Sequence, residues 1–243
     1  DAYQPIERRL RITRAVLQVL GDCAHPYTVI TKSAGIERDI DLIAPAAQAG
    51  RAWVSVSITT LDGALARILE PRAASPARRL QAVRALSGAG IAVGVNVAPI
   101  IPFINDGDIE HIVEAAAQAG ASSVHHTVLR LPWEVAPLFR QWLETHFPAR
   151  AARVMARVQD LHGIEAAQRR PHAGRTARDY DARFGQRMDG TGPWADLIRQ
   201  RIAKVSARCG MPRGGLPALD CSAFRRPAAW QAVGDARQAS LFD

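Results

Sequence analysis

Polar and charged residues follow two short, β-rich runs of the sequence, at the points where each run ends. Lys32 and Ser33 follow the run 27–31, and the polar stretch 59–62 follows the run 53–58. Ligand sites of α/β proteins lie at the carboxyl ends of parallel strands. Ammonium and hydroxyl groups at such an edge are suited to a phosphate or carboxylate group. One hypothesis is therefore a (β/α) barrel enzyme that acts on a phosphorylated metabolite.

A third run, 124–129, contains two adjacent histidines and ends at Arg130. His125 and His126 lie on one strand, so their side chains point to opposite faces of the sheet and do not form a metal-binding pair. One of the two is expected to face the barrel interior. Arg130 stands at the tip of the strand, where its guanidinium group is a candidate phosphate contact.

The cysteines of the chain are few and widely spaced: Cys23, Cys209 and Cys221. This spacing suggests neither a disulfide scaffold nor a zinc site. No metal ligand is therefore expected in this chain.

A repeat of helix and strand organises the first half of the sequence. Three predicted helices end in Ala-Gly shortly before a strand begins, at Gly50, Gly90 and Gly120. Glycine at that place fits a left-handed helix terminus. The repeat predicts right-handed βαβ units and a parallel sheet. Four strands are too few for a closed barrel, so we expect the first strands to precede Asp1. The given sequence begins at Asp1 rather than at a Met and shows no apolar leader, and we therefore expect it to be a fragment.

The elements that must position these residues follow from periodicity and capping. Asp62 and Ser75 have the form of N-caps, the latter before a proline, and Asn105-Asp106 is expected to cap a third helix. The predicted strands are 27–31, 53–58, 91–101 and 124–129. The predicted helices are 6–20, one that starts at Asp39 or Asp41 and ends at Gly50, 62–70, 75–90, 105–120, further helices within 133–163, and 193–209.

Composition divides the chain into four parts. Residues 1–163 form the predicted partial barrel, and 164–178, which is polar and rich in Arg, is expected to be a disordered insertion. We expect 179–210 to be a helical extension and 211–243 a flexible tail.

The basic charge is concentrated in the C-terminal part. Residues 1–150 contain 15 Lys/Arg and 14 Asp/Glu, whereas 151–243 contain 16 and 9. Such asymmetry suggests a polyanionic partner, with DNA as the first hypothesis. The alternative is that the basic excess only reflects the Ala- and Arg-rich composition of the chain. No run approaches the roughly 20 apolar residues of a membrane span, so a cytoplasmic protein without a membrane partner is expected.

Several motifs in order resemble the spore-photoproduct-lyase-like family of radical SAM proteins, many of which are named DNA repair photolyases. The motifs are DAYQPIE, TKS, VSITTLD, EPRAASPARRLQAVRAL and VGVNVAPIIPFIND. A further segment, DYDARFGQRMDGTGPWADLI, resembles a bacterial subgroup of that family. Together the resemblance covers roughly 1–163 and 179–208.

The resemblance implies an α/β fold, a partial (β/α) barrel that here lacks its first strands. It implies a [4Fe–4S] cluster held by a CxxxCxxC loop, and S-adenosylmethionine that is cleaved reductively to a 5′-deoxyadenosyl radical. A reductant such as flavodoxin or ferredoxin would supply the electron. The CxxxCxxC motif is absent from this sequence. By the family layout it would precede Asp1, and this chain alone would be inactive.

The resemblance also implies cofactor contacts. Lys32 would meet the carboxylate of S-adenosylmethionine and Ser57 its ribose, while Asn96 and Ala98 would line the adenine. The methionyl end would lie near Tyr3, Gln4 and Glu7. The alternatives are a surface Lys, a Ser bonded to the backbone and a Glu that starts a helix.

Charged residues beside these contacts are expected at the rim of the site. Glu70 and Arg72 would form a rim ion pair or touch the substrate, with a solvated pair as the alternative. Arg130 completes the candidate rim residues.

The last residues resemble the QLSLF-type peptide with which bacterial replication and repair proteins bind the sliding clamp. Gln238 would bond at the mouth of the clamp pocket, and Leu241 and Phe242 would fill an apolar groove. Ala239 departs from the usual Leu. A degenerate, non-catalytic adaptor for DNA or the sliding clamp is therefore a further alternative.

Overall fold

Four parallel strands form one sheet, with the order β1-β2-β3-β4. The computed structural model describes residues 1–164, 188–211, 216 and 218–227. Within these residues the strands are β1 (Tyr27–Thr31), β2 (Ala52–Ser57), β3 (Val93–Ile100) and β4 (Ser123–Val128). They lie within two residues of the bounds predicted from the sequence, and their parallel pairing follows the predicted repeat.

Helices connect successive strands and continue after β4. They are α1 (Glu7–Leu10), α2 (Ile12–Asp22), α3 (Ile40–Gln48), α4 (Gly63–Leu69), α5 (Pro76–Gly88), α6 (Ile109–Gln118), α7 (Val135–His146), α8 (Ala151–Leu161) and α9 (Gly192–Arg208). Short 3-10 turns at Ala34–Asp39 and Asp106–Asp108 precede α3 and α6. No helix in the described ranges is long and apolar enough to cross a membrane.

Local signals set several helix ends as predicted. The Asp62 carboxylate accepts a hydrogen bond from Ala64 N at 2.7 Å, and the Ser75 hydroxyl accepts one from Arg78 N at 3.3 Å. Gly120, after α6, has φ +94°, and a Cβ atom there would lie 2.5 Å from Ser87 Oγ. Glycine is therefore required at this position for both conformation and space.

The predicted single helix 6–20 is wrong. Arg11 adopts the left-handed conformation, with φ 52° and ψ 33°, and separates α1 from α2. The Glu7 carboxylate accepts a hydrogen bond from Thr13 N at 2.9 Å. This side chain satisfies an N–H at the start of α2, so a second helix begins where a continuous helix was predicted.

The predicted cap of α6 at Asn105-Asp106 is also wrong, because Asn105 has a different task. Its buried amide donates to Thr59 O at 2.7 Å and to Pro99 O at 2.9 Å, and its oxygen accepts from Ile101 N at 2.6 Å. Asn105 thereby joins the carboxyl ends of β2 and β3. The helix α6 begins after Asp108, which makes no side-chain cap.

The two faces of the sheet differ in polarity. Valines of β2 and β3 are buried against the helices: Val54, Val56, Val93, Val95 and Val97. The opposite face carries Ser57, Asn96 and His125 at registered positions on β2, β3 and β4. Such a difference places the apolar core on the helical side and leaves polar groups on the inner side of the partial barrel.

At the edge of the described sheet, β1 has a neighbour on one side only. The helix α2 precedes β1 and exposes Ile12, Val16 and Val19 along one face. By the right-handed connection rule, any strand that precedes α2 would join the sheet at this edge. The described sheet is therefore open at β1, as expected of a partial rather than a closed barrel.

The C-terminal part is described in pieces. The predicted helix 193–209 is α9, which packs on α6 through an ion pair between Arg201 and Glu110 at 2.6 Å. Of the stretch 164–178, only the buried Ile164 lies within the described residues. The ranges 179–187 and 228–243, including the clamp-like peptide, lie outside them. The segment 218–227 returns to the amino ends of the strands, where Asp220 N donates to Gly50 O at 2.9 Å.

Candidate functional site

The ammonium group of Lys32 stands at the centre of the site, one residue beyond β1. It forms an ion pair with Glu70, and it donates to Ala98 O at 3.1 Å and Thr59 Oγ1 at 3.3 Å. These contacts join the tips of β1, β2 and β3. The side chain of Lys32 remains 32% exposed, so a ligand in the cleft can still reach it.

Glu70 is shared by several donors. One oxygen binds Lys32 and the Thr59 hydroxyl, the latter at 2.8 Å, and the other accepts from Arg79 at 2.6 Å. The expected rim ion pair of Glu70 with Arg72 is wrong, because the carboxylate points inward to these partners. Arg72 is exposed and makes no ion pair with any described residue.

Arg79 is a buried residue of this cluster that sequence reasoning missed. It is 2% exposed, and its guanidinium group also donates to Ser57 O at 2.9 Å and Ala74 O at 2.7 Å. A signal was present in the sequence, because Arg79 lies on the stripe of α5 that carries the buried apolar residues Ala82, Val83 and Leu86. A charge on such a stripe indicates a buried partner.

The environment shifts the pKa of both members of the central pair. Burial alone would raise the pKa of Glu70, but the charges and hydrogen bonds of Lys32 and Arg79 outweigh it and hold that pKa below its usual range. Burial lowers the pKa of Lys32, and the attraction of Glu70 opposes this shift only in part. The site therefore favours a charged carboxylate beside an amine that loses its proton more readily than usual.

A row of polar side chains crosses the inner face beside this pair. Ser57 is paired with Asn96, and Asn96 with His125, in the strand register. Asn96 Oδ1 is buried and has no hydrogen-bond partner. An amide oxygen in this state is suited to a ligand that brings an N–H donor. His125 is exposed at the end of the row and extends the predicted site.

His126 lies on the other face, as the strand alternation predicted. Burial lowers the pKa of its imidazole, and its Nε2 atom is buried with no partner. The two histidines therefore do not form a metal pair. Arg130, beyond the end of β4, contacts Met188 Sδ at 2.8 Å, so its guanidinium group packs against the sulfur of a neighbouring segment.

The predicted methionyl-end residues divide into structural and exposed ones. Tyr3 is buried and donates to Asp39 Oδ2 at 3.0 Å; burial and Asp39 raise its pKa. Glu7 is buried and accepts from Arg38 at 3.0 Å. These two side chains hold the first segment on the 3-10 turn before α3. Gln4 is exposed in the cleft beside them.

An open cleft of about 740 Å³ lies at this end of the sheet. Three exposed arginines in its wall, Arg8, Arg11 and Arg72, make no ion pair with a described residue. The cleft is lined by Asp1, Tyr3, Gln4, Pro5, Glu7, Arg8, Arg11, Lys32, Ser33, Ala34, Gly35, Arg38, Arg72, Ala73, Ala74 and Arg78. It is therefore an open and predominantly basic surface.

The cysteines do not form a metal site. Cys23 is buried, Cys209 is half-buried and Cys221 is exposed. In the part of the chain that the structure describes, no group of three or more His, Cys, Asp or Glu residues could hold a metal ion. The sequence also lacks the CxxxCxxC spacing. The residues present therefore do not fit a [4Fe–4S] cluster.

Comparison with known proteins identifies relatives. Residues 3–116 match the model of the Radical SAM superfamily. An uncharacterized protein of Mycobacterium tuberculosis is 31% identical over 155 residues, which are 63% of this chain and 46% of that protein. An uncharacterized protein of Methanocaldococcus jannaschii is 28% identical over 148 residues, 61% of this chain and 54% of that protein. The chain thus spans about half the length of these relatives.

Solved structures confirm the fold. A spore photoproduct lyase variant with bound AdoMet and dinucleoside spore photoproduct has a TM-score of 0.54 and 17% identity, over 86% of this chain and 56% of that chain. A second variant of that lyase has a TM-score of 0.52 and 17% identity, over 84% and 55%. The predicted partial barrel of radical SAM type is therefore confirmed.

Replacing Glu70 by Gln is expected to lower the free energy of unfolding at pH 7. The variant should also lose less stability than the unchanged chain when the pH is lowered. Because the folded pKa of Glu70 is lowered, its contribution is complete above the unfolded pKa of about 4.3 and is lost as pH falls through the folded value. The difference in unfolding free energy between the two proteins, measured by urea unfolding, should be smaller at about pH 3 than at pH 7. Glu144→Gln, on the exposed face of α7, is the control, and a difference that does not change with pH would contradict the expectation.

Proposed function

We propose that this chain, whose residues 3–116 match the model of the Radical SAM superfamily, is the S-adenosylmethionine-binding portion of a radical enzyme of that superfamily. One observation carries the proposal. Lys32, one residue beyond β1, lies beside Ser57 on β2 and Asn96 on β3, and Asn96 presents a buried oxygen without a partner. The fold is also that of a lyase variant with bound AdoMet.

Each of these side chains has a proposed role. The Lys32 ammonium group would bind the carboxylate of the cofactor, and the Ser57 hydroxyl its ribose. The free Asn96 oxygen would accept from the adenine amino group, with the backbone at Ala98 beside it. Gln4 would reach the methionyl end from the cleft, while Tyr3 and Glu7 would act indirectly by holding the segment of Gln4 in place.

The reaction is proposed for a longer protein. In this superfamily, S-adenosylmethionine bound at a [4Fe–4S] cluster supplies a 5′-deoxyadenosyl radical for hydrogen abstraction. This chain has no residues that fit the cluster, so cysteines and a reductant such as flavodoxin or ferredoxin would come from outside it. We propose a lyase-like role in DNA repair, in keeping with the fold.

The cleft suggests how DNA would bind. Arg8, Arg11 and Arg72 line it without ion pairs to described residues, next to the proposed cofactor site. Guanidinium groups of this kind bind phosphates, and the substrate strand would then pass over the carboxyl ends of the strands. The proposed DNA contact thus includes the first segment as well as the basic C-terminal part.

A second candidate function is a non-catalytic adaptor. It is favoured by the clamp-like peptide at residues 238–242, and a full-length reading frame without a CxxxCxxC motif would favour it further. In this role the chain would bring DNA or a partner to the sliding clamp through Gln238, Leu241 and Phe242. The two candidates differ in whether the Lys32 site binds S-adenosylmethionine.

Cofactor binding is testable on this chain. S-Adenosylmethionine should bind in calorimetry. Lys32→Met should weaken binding by about tenfold or more, since a hydrogen bond to a charged group contributes about 1.5–3 kcal/mol, and Ser57→Ala should weaken it by about two- to tenfold, since a neutral one contributes about 0.5–1.5 kcal/mol. Lys204→Met, on the exposed face of α9, is the matched control. Equal affinity in all four proteins, or no binding by the unchanged chain, would count against the proposal.

DNA binding is testable by its salt dependence. The affinity for a short single-stranded oligonucleotide should fall steeply with salt. Arg72→Gln should reduce the magnitude of the slope of log K against log[salt] by about 1, the contribution of one phosphate contact. Arg84→Gln, an exposed arginine on α5 outside the cleft, should leave the slope unchanged. A flat salt response of the unchanged chain would exclude phosphate contacts.

The adaptor hypothesis is testable with a peptide of residues 234–243. It should bind a bacterial sliding clamp, and alanine at Leu241 or Phe242 should abolish binding because each anchor fills the apolar groove. Ser240→Ala is the matched control and should bind as before. Binding that persists without both anchors, or no binding at all, would reject the clamp contact.

A further inference from the structure

The donors of Lys32 are fully used before any ligand binds. An ammonium group has three N–H donors. Here they face three acceptors, which belong to Glu70, Thr59 and Ala98. A carboxylate that enters the cleft must therefore take the place of one of them. Glu70 is the acceptor of the same chemical kind, so it competes directly with such a ligand.

The charges of the cluster favour an exchange. Lys32 and Arg79 contribute two positive charges and Glu70 one negative charge, so this trio retains a net positive charge in a largely buried place. One ligand carboxylate would neutralise it. Lys32 is 32% exposed at the cleft, whereas Glu70 is 12% exposed and bound behind it. The lysine is therefore the member that can turn toward a ligand.

Arg79 keeps Glu70 in place when Lys32 leaves. Its guanidinium group is fixed by Ser57 O and Ala74 O and bonds the second oxygen of Glu70. The Thr59 hydroxyl holds the first oxygen at 2.8 Å. Glu70 would thus lose one partner and retain two, so the exchange leaves no buried carboxylate without a counter-charge.

The choice of residue fits this movement. Lys32 and Lys204 are the two lysines among 31 basic residues of the chain. An arginine would offer a planar, rigid fork, whereas an ammonium group is a compact charge with rotatable donors on a flexible stem. A lysine can change acceptors with a small rotation of its side chain.

We infer that Glu70 occupies the place of the ligand carboxylate on Lys32 until the ligand arrives, and that Arg79 is the positioning residue that holds Glu70 through the exchange. The inference rests on the proposed binding of S-adenosylmethionine at Lys32. It adds that Glu70 lowers the affinity for that ligand, because its carboxylate competes with the ligand carboxylate for Lys32.

The first test needs no ligand. Acetylation of the two lysines is followed by peptide mass spectrometry, with the exposed Lys204 as the internal reference. Lys32 should react more slowly than Lys204. Glu70→Gln should raise the rate of Lys32 relative to Lys204, because the amine loses its counter-charge and remains near Arg79. An unchanged ratio would overturn the inference.

The second test compares two ligands in calorimetry. S-Adenosylhomocysteine carries the carboxylate, and 5′-methylthioadenosine lacks the amino-acid portion. Glu70→Gln should bind the first about tenfold more tightly, as expected when one charge-assisted hydrogen bond no longer has to be broken, and the second unchanged. In a Lys32→Met background, Glu70→Gln should have no effect on either affinity.

Other outcomes separate the inference from the proposed function. If neither ligand binds the unchanged chain, the proposed cofactor site fails, while the acetylation ratio still decides whether Glu70 holds Lys32. If Glu70→Gln weakens both ligands equally, Glu70 has a structural role only and the exchange is rejected. Glu70→Asp, which keeps the charge for Arg79 and shortens the reach to Lys32, gives the same two readouts if Glu70→Gln does not fold.

Discussion

The largely buried carboxylate of Glu70 joins parts of the chain that are far apart in sequence. It binds Lys32 beyond β1, Thr59 beyond β2 and Arg79 on α5, and through Lys32 it reaches the backbone of β3 at Ala98. Two positive charges compensate it, which is the condition under which a buried carboxylate stays ionised. The edge of the sheet at which a ligand would bind is therefore fixed by one group, and its geometry depends on that group remaining charged.

A second polar network fixes the first segment against the same edge. Arg14 and Arg38 bind Asp39, whose carboxylate also accepts from Tyr3, and Arg38 reaches Glu7. These contacts keep residues 1–11 beside the cleft although α1 has only four residues. The two networks use different side chains, and Asp1 links them because its carboxylate accepts from Lys32 N at 2.6 Å and from Thr31 Oγ1 at 2.7 Å.

The polar row on the inner face shows how this fold separates stability from function. Apolar residues of β2 and β3 face the helices and form the core, whereas Ser57, Asn96 and His125 alternate with them toward the open side. The unpartnered oxygen of Asn96 is costly for a protein without a ligand, since a buried polar group normally has a hydrogen bond. We interpret this cost as the mark of a binding surface. The cluster chemistry proposed for the superfamily requires a CxxxCxxC motif, which this sequence does not contain.

Local features were determined by the sequence alone. The Ala-Gly helix ends, the Asp62 and Ser75 caps and the alternation that separates His125 from His126 depend on neighbours a few residues away, and they were predicted correctly. Lys32 was also placed correctly at its strand tip. Only the tertiary structure decided that Glu70 binds Lys32 and Arg79 instead of Arg72, that Asn105 bridges two strands and that the chain breaks at Arg11. The reason is that each of these outcomes is set by a partner brought close by strand register and helix packing, and the burial of a charge cannot be known until the groups that surround it are known.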